Sequence, residues 1–280
     1  MEMLVDSHGH VIAADQDRYP LAPASMASVP GVPGGWHRKL PVSVQGLSEA
    51  MAGAGVSKAV LVQAISVYGE DSSYAADSAR DDPGSFTSVG MIDISKDGAV
   101  DRLDYWMTER GMRGFRLPIA GLEPGAINGP AAAPVWRRAA DLGAPVCLML
   151  RASQLHELRD VLDRVPELTV VLEHLGGLPV EGGDGAAVVA SYPNVRLKLS
   201  MLNLDSEALG GAESEDALRR LVDTFGAQRL MWSSNYPTSQ DRPYAAMVDL
   251  ARQRAAFLTE GDQRWLFSET ALAVWPELRD

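Results

Sequence analysis

The chain has 280 residues, 46% hydrophobic and 22% charged, with no low-complexity block to act as a linker, so it reads as one large core, a single domain over 1–280. Its 25 basic and 37 acidic side chains give a formal charge of −12 with both signs interspersed, which argues against nucleic acid and anionic membrane as partners. A single cysteine, Cys147, excludes an intrachain disulfide framework; with no signal-peptide pattern at the start and no run approaching ~18 apolar residues, a soluble cytoplasmic protein is expected.

The first strand is expected over 3–10 and carries Val5-Asp6-Ser7-His8-Gly9-His10. Strand alternation puts His8 and His10 on one face with Asp6, and Val5, Ser7 and Gly9 on the other. Residues 11–42 follow as a long loop rich in proline and glycine, with Trp36 and His37 near its end, and this loop is expected to act as an active-site lid. Ser43 then caps a helix whose apolar face is Val44, Leu47, Ala50, Met51 and Ala54, and Gly55 stops it. A doubly buried strand is expected over 58–64. Further strands are expected over 86–92, 112–117, 145–150, 168–174, 195–200 and 229–233, with amphipathic helices over 98–110, 153–165 and 214–225.

Eight strands alternating with helices predict a closed parallel barrel or an open doubly wound sheet. No Gly-rich phosphate fingerprint follows any strand, which removes the commonest use of the open sheet. Polar residues also collect at many strand ends: His10, Gln63, Arg116, Arg151, His174, Lys198 and Asn235. A (β/α)8 TIM-like barrel gathers such ends around a single site, so the expected fold class is α/β, an eightfold barrel with a long Pro/Gly-rich loop after its first strand.

Five motifs in barrel order carry a family resemblance: Asp6-Ser7-His8-Gly9-His10-Val11, Gly114-Phe115-Arg116, Glu173-His174-Leu175-Gly176, Lys198-Leu199-Ser200, and Arg229 through Pro237. Together they resemble the amidohydrolase superfamily, in its "amidohydrolase 2" branch. Arg151-Ala152-Ser153-Gln154-Leu155 and the segment 165–174 are most similar to its sugar-lactonase group, which includes L-fucono-1,5-lactonase and 2-pyrone-4,6-dicarboxylate lactonase. The resemblance implies that His8, His10, His174 and an aspartate closing the eighth strand line the site. Metal-dependent members add a fifth-strand histidine, or a carboxylate or modified lysine at the fourth.

The chain departs from that pattern twice, with Met149 at the fifth strand and Asn235 where aspartate is usual. A thioether and a neutral amide are poor ligands for a hard or borderline divalent cation. The expectation is therefore that no cofactor is required; if a metal such as zinc is present, His8, His10 and His174 would hold it. An amide is no base either, so a histidine of near-neutral pKa, His174 or His10, must handle protons, and Asn235 orients water or stabilises an oxyanion.

Arg116 and Arg151 are candidate carboxylate clamps, or else ion-paired barrel residues; Lys198 is a further candidate for binding substrate. Gln63, Tyr68, Trp36, His37 and Tyr236 can reach the pocket from their loops. The expected partner is a small molecule, with homo-oligomerisation left open. The resemblance implies hydrolysis of a small polar lactone, or a related cyclic ester or amide, without metal. Four alternatives stay open: a lactone isomerase or other non-hydrolytic enzyme, a metal-dependent hydrolase or decarboxylase, a hydrolase disabled by an Asp-to-Asn change, and a non-catalytic ligand-binding barrel.

Overall fold

Short runs of valine, leucine and isoleucine bounded by glycine, proline and charged residues become eight parallel strands in the computed structural model, which describes residues 3–23, 35–117, 122–178, 184–205, 214–238 and 242–279. They are β1 (Val5–Gly9), β2 (Lys58–Val62), β3 (Phe86–Met91), β4 (Phe115–Leu117), β5 (Val146–Leu148), β6 (Val170–Leu172), β7 (Val195–Ser200) and β8 (Leu230–Ser233). Each pairs with the next in sequence order. The ring closes where the amide of His10 donates to the Tyr236 carbonyl at 2.8 Å and that of Asn235 to the His8 carbonyl at 2.9 Å. The result is the expected (β/α)8 barrel.

Each strand lies within its expected bounds, and several are shorter at their C-terminal ends. Residues such as Met149, Glu173 and His174 leave the ladder there to build turns.

The barrel is filled from below. Val5, Val60, Val62, Val89, Cys147, Val171 and Met231 point inward and meet Leu272, Trp275 and Leu278 from the C-terminal helical segment, which plugs the base. Small branched side chains suit this narrow interior. The larger cluster, including Leu61, Phe115, Leu148, Leu197 and Leu199, lies between strands and helices.

The helix Val44–Ala54 starts where the Ser43 hydroxyl accepts the Gly46 amide at 3.2 Å, and ends at Gly55 with φ 72°. Over 98–110 an α-helix, Ala99–Asp104, gives way to a π-helical turn, Tyr105–Glu109, that keeps Trp106 and Met107 buried. Part of the expected lid, 24–34, lies outside the described residues. Its described ends are tied down: the Ile12 amide donates to the Val42 carbonyl at 2.7 Å, and the Ala13 amide to the Tyr68 hydroxyl at 2.7 Å. No described helix is long and apolar enough to cross a membrane.

Candidate active site

The site begins with an irregularity in β1. Asp6 pairs with Ala59 and Gly9 with Leu61, so three steps of β1 face two of β2, and this bulge reverses the alternation. The expectation that Asp6 shares a face with both histidines is corrected accordingly. The Asp6 carboxylate accepts from the His8 amide at 3.0 Å, the Ser234 amide at 2.9 Å, the Ser234 hydroxyl at 2.5 Å and the Tyr244 hydroxyl at 2.9 Å. It is a fully bonded buried pin holding β1 to the end of β8 and to the helix Tyr244–Ala255. Gly9 also faces outward, its missing Cβ 3.3 Å from Leu47. His8 and His10 are left facing into the barrel, both buried.

The partners of these rings determine their protons. His10 Nδ1 lies 2.7 Å from the Val62 carbonyl, which can only accept, so Nδ1 carries hydrogen and Nε2 of the neutral ring is an acceptor. Facing it at 3.2 Å is His8 Nε2, which must donate. His8 Nδ1 then accepts from Lys198 Nζ at 3.4 Å. One directed chain runs from Lys198 through His8 and His10 to Val62, and neither ring keeps an uncommitted nitrogen.

His174 stands apart from this chain, its ring centre 5.3 Å from that of His8. It opens a left-handed turn in which His174, Leu175, Gly176 and Gly177 have φ of 53°, 61°, 62° and 66°. A Cβ on Gly177 would lie 3.1 Å from the Leu150 carbonyl and 3.2 Å from the Ala152 amide, so this turn lies directly against the loop after β5. His174 Nδ1 is 2.8 Å from Ser200 Oγ, which itself donates to Asn203 Oδ1 at 2.9 Å. His174 is half-buried.

Beneath the histidines lies a carboxylate that the sequence reading did not select. Glu173 Oε2 accepts from Arg116 Nη2 at 2.6 Å, while Oε1 lies 3.6 Å from His8 Nδ1 and 3.8 Å from Lys198 Nζ, with no hydrogen bond of its own. Its signal was an acidic residue ending an apolar, doubly buried strand, where an unpaired charge would be costly. Burial opposes its ionisation, but Arg116, Lys198 and His174 together hold the Glu173 carboxyl below its ordinary range.

The histidines do not have the near-neutral values expected from sequence. Burial, and then the Arg116 charge, push His10 down to about 3; burial pushes His174 down to about 4, opposed by Glu173 and reinforced by Arg116 and Lys198. His8 is lowered by burial and by Lys198. All three rings are neutral near pH 7. Two cationic groups against one carboxylate leave a positive excess below the pocket.

The remaining sequence candidates are spread around this centre. Trp36 covers His10, ring centres 5.7 Å apart, and its indole donates to Ser66 Oγ at 2.8 Å; His37 stands edge-on to Trp36 at 5.9 Å. Arg116 Nη1 donates to the Gln63 carbonyl at 3.1 Å, and the Gln63 amide donates to the carbonyls of Gly69 and Asp71. Tyr68 holds the loop after β1, and Tyr236 packs edge-on against Tyr244 at 5.2 Å. Arg151 is exposed just past β5 with no ion pair among the described residues, and Met149 packs with Ile65 and Met91. Asn235, 5% exposed, takes left-handed backbone with φ 55°, a region asparagine tolerates. Its side-chain amide makes no hydrogen bond among the described residues.

Fold and site together define an α/β-barrel enzyme whose buried histidines gather at the C-terminal strand ends. Residues 5–276 match the family model Amidohydro_2, described as amidohydrolase. The chain belongs to this amidohydrolase family and is an enzyme of the hydrolase type. It is similar to the L-fucono-1,5-lactonase of Burkholderia ambifaria, with 26% identity over 204 residues, 70% of either chain. A Pseudomonas putida structure named as a 2-pyrone-4,6-dicarboxylic acid hydrolase superposes with a TM-score of 0.77 at 23% identity, covering 99% of this chain and 98% of the other. A Burkholderia multivorans amidohydrolase with bound zinc gives 0.72 at 21% identity, covering 98% and 99%. At these identities the two structures support the fold.

Zinc in a relative prompts a test of this donor set. The residues close enough together are His8, Glu173 and His174, with Glu173 in the place that the sequence reading gave to His10. Two imidazoles and a carboxylate form a plausible metal triad in composition. Lys198 contradicts it: its Nζ lies 3.4 Å from His8 Nδ1 and 3.8 Å from Glu173 Oε1, against the two atoms an ion would share, and Arg116 takes the other carboxylate oxygen. As arranged, the residues do not fit a divalent ion.

Proposed function

We propose that this enzyme hydrolyses a small polar lactone without a metal, using His174 as the group that takes and returns the proton. The observation that carries this reading is the commitment of every nitrogen of His8 and His10, which leaves His174 Nε2 as the one nitrogen of these three strand-end histidines without a partner among the described residues. Water attacks the ring carbonyl carbon and passes a proton to His174 Nε2. The tetrahedral oxyanion collapses, the ring C–O bond breaks, and the imidazolium returns its proton to the departing alkoxide, giving a hydroxy acid.

The Asn235 amide fits as a donor to the oxyanion, since a neutral amide has no useful basicity. An imidazole held near 4 is a weak base in the empty pocket. An arriving anion, whether a substrate carboxylate or the oxyanion itself, offsets the Arg116 and Lys198 fields that depress it. Arg151 at the rim supplies a guanidinium for a substrate carboxylate, and Trp36 closes the pocket over His10.

The test is acid release, followed with a pH indicator, on L-fucono-1,5-lactone, 2-pyrone-4,6-dicarboxylate and a wider lactone panel. Turnover that persists after chelation and falls at least about a hundredfold in His174→Ala supports the reading. No turnover across the panel, turnover that needs added metal, or full activity in His174→Ala refutes it.

A further inference from the structure

The nitrogen used in the proposed reaction is exposed by two residues that lie behind it. Asn203 Oδ1 accepts both the Ser200 amide at 3.0 Å and the Ser200 hydroxyl at 2.9 Å. The amide cannot be reversed without losing these bonds, because its Nδ2 donates to the His174 carbonyl at 3.3 Å. A serine hydroxyl has one proton, and here it is spent on Asn203. Toward His174, Ser200 Oγ can therefore only accept, so the 2.8 Å contact requires hydrogen on His174 Nδ1. Nε2 then carries the lone pair.

We infer that Ser200 and Asn203 are positioning residues that lock His174 in its Nδ1–H tautomer and brace its left-handed turn, directing the basic Nε2 toward substrate. The inference rests on the reading of His174 as the proton acceptor. Two independent features of the fold support it. Asn203 stands three residues after Ser200 and caps the first turn of Met201–Leu204, so local helix geometry places its Oδ1. The same side chain ties the carbonyl of a non-glycine residue in left-handed backbone, a conformation that persists only where its surroundings enforce it. Ser200 is fully buried, so no bulk water competes for its hydroxyl.

The first arm is read on ligand-free protein labelled with nitrogen-15, which has only five histidines. Long-range proton–nitrogen correlation spectra, with His174 assigned through His174→Gln, are expected to show a protonated Nδ1 and an unprotonated Nε2 near pH 7. A protonated Nε2 in the wild-type protein overturns the inference whether or not any variant folds. The second arm is kinetic. Ser200→Ala is expected to lose the single tautomer and about ten- to a hundredfold in kcat, with KM held within about twofold, and Ser200→Thr, which keeps the hydroxyl, to recover much of the loss.

Unchanged kcat and an unchanged His174 spectrum in Ser200→Ala overturn the positioning role, even where His174→Ala is inactive. Full lactone turnover in His174→Ala instead refutes the base assignment, and the ligand-free spectrum still decides the tautomer.

Discussion

Replacing Lys198 by methionine keeps the length and apolar contacts of the side chain and removes its charge. Lys198 Nζ is fully buried, 5.4 Å from the Trp275 ring below it, 3.4 Å from His8 Nδ1 and 3.8 Å from Glu173 Oε1. These last two atoms are 3.6 Å apart. An ion within coordination distance of both would lie no more than about 4 Å from Nζ. At that separation and an effective dielectric near 20, each unit pair of charges repels by about 4 kcal/mol, so a divalent ion faces about 8 kcal/mol, or five to six powers of ten in affinity. Lys198→Met is therefore expected to take up close to one zinc per chain through His8, Glu173 and His174, with a dissociation constant of about micromolar or lower. The wild-type protein should take up none at millimolar zinc. Without zinc the variant should lose about 3 kcal/mol, because a partner of a buried carboxylate is gone, and zinc should restore its melting temperature. Elemental analysis and thermal melts with and without chelator measure both effects. A wild-type protein that holds one zinc per chain and loses it in Glu173→Gln refutes the reasoning; so does a folded Lys198→Met that binds none.

Three further outcomes follow from the same geometry. His10 and His174 bind protons only near 3 and 4 in the fold, against an ordinary value near 6.5 in the unfolded chain. His8 is lowered as well, so between about pH 6 and pH 4 the unfolded state holds up to three more protons, and stability should fall by about 3–4 kcal/mol per pH unit on acidification; flat denaturant midpoints from pH 6.5 to 5 would contradict neutral burial of these rings. Asn235→Asp replaces the proposed oxyanion donor by an acceptor-only carboxylate, so lactone hydrolysis near pH 7 should fall by about a hundredfold or more in the acid-release assay; faster turnover in this variant would refute the donor role. Gly177→Ala forces φ of 66° on alanine and a Cβ within 3.1 Å of the Leu150 carbonyl, so about 2–4 kcal/mol of stability should be lost, read as a lower melting temperature.

The barrel was legible because its signals are local and repeated. Runs such as 59–62 and 146–150, each apolar on both faces and set between turn residues, specify buried parallel strands wherever they stand, and order alone then closes the ring. The helix Tyr244–Ala255 has no clear signal in the sequence, since its alanine-rich pattern gives a weak apolar stripe, and its Tyr244 is buried by contact with Asp6 of β1 and with Tyr236. The positions of His8, His10, His174 and Asn235 were legible for the same reason as the strands, because each lies within two residues of a strand's C-terminal end. What they do there was not. A one-residue bulge moved Asp6 off the histidine face, and no alternation rule anticipates a bulge. The near-neutral histidines of the sequence reading are depressed because burial and the Arg116 and Lys198 charges, contributed by β4 and β7, converge on them. Proton placement is more remote still. Which nitrogen of His174 is basic depends on a serine 26 residues away and on the direction of an amide three residues beyond it. Residue types at strand ends thus identify the chemical inventory of such a site, while the roles within it are set by hydrogen-bond directions that exist only once the ring is closed.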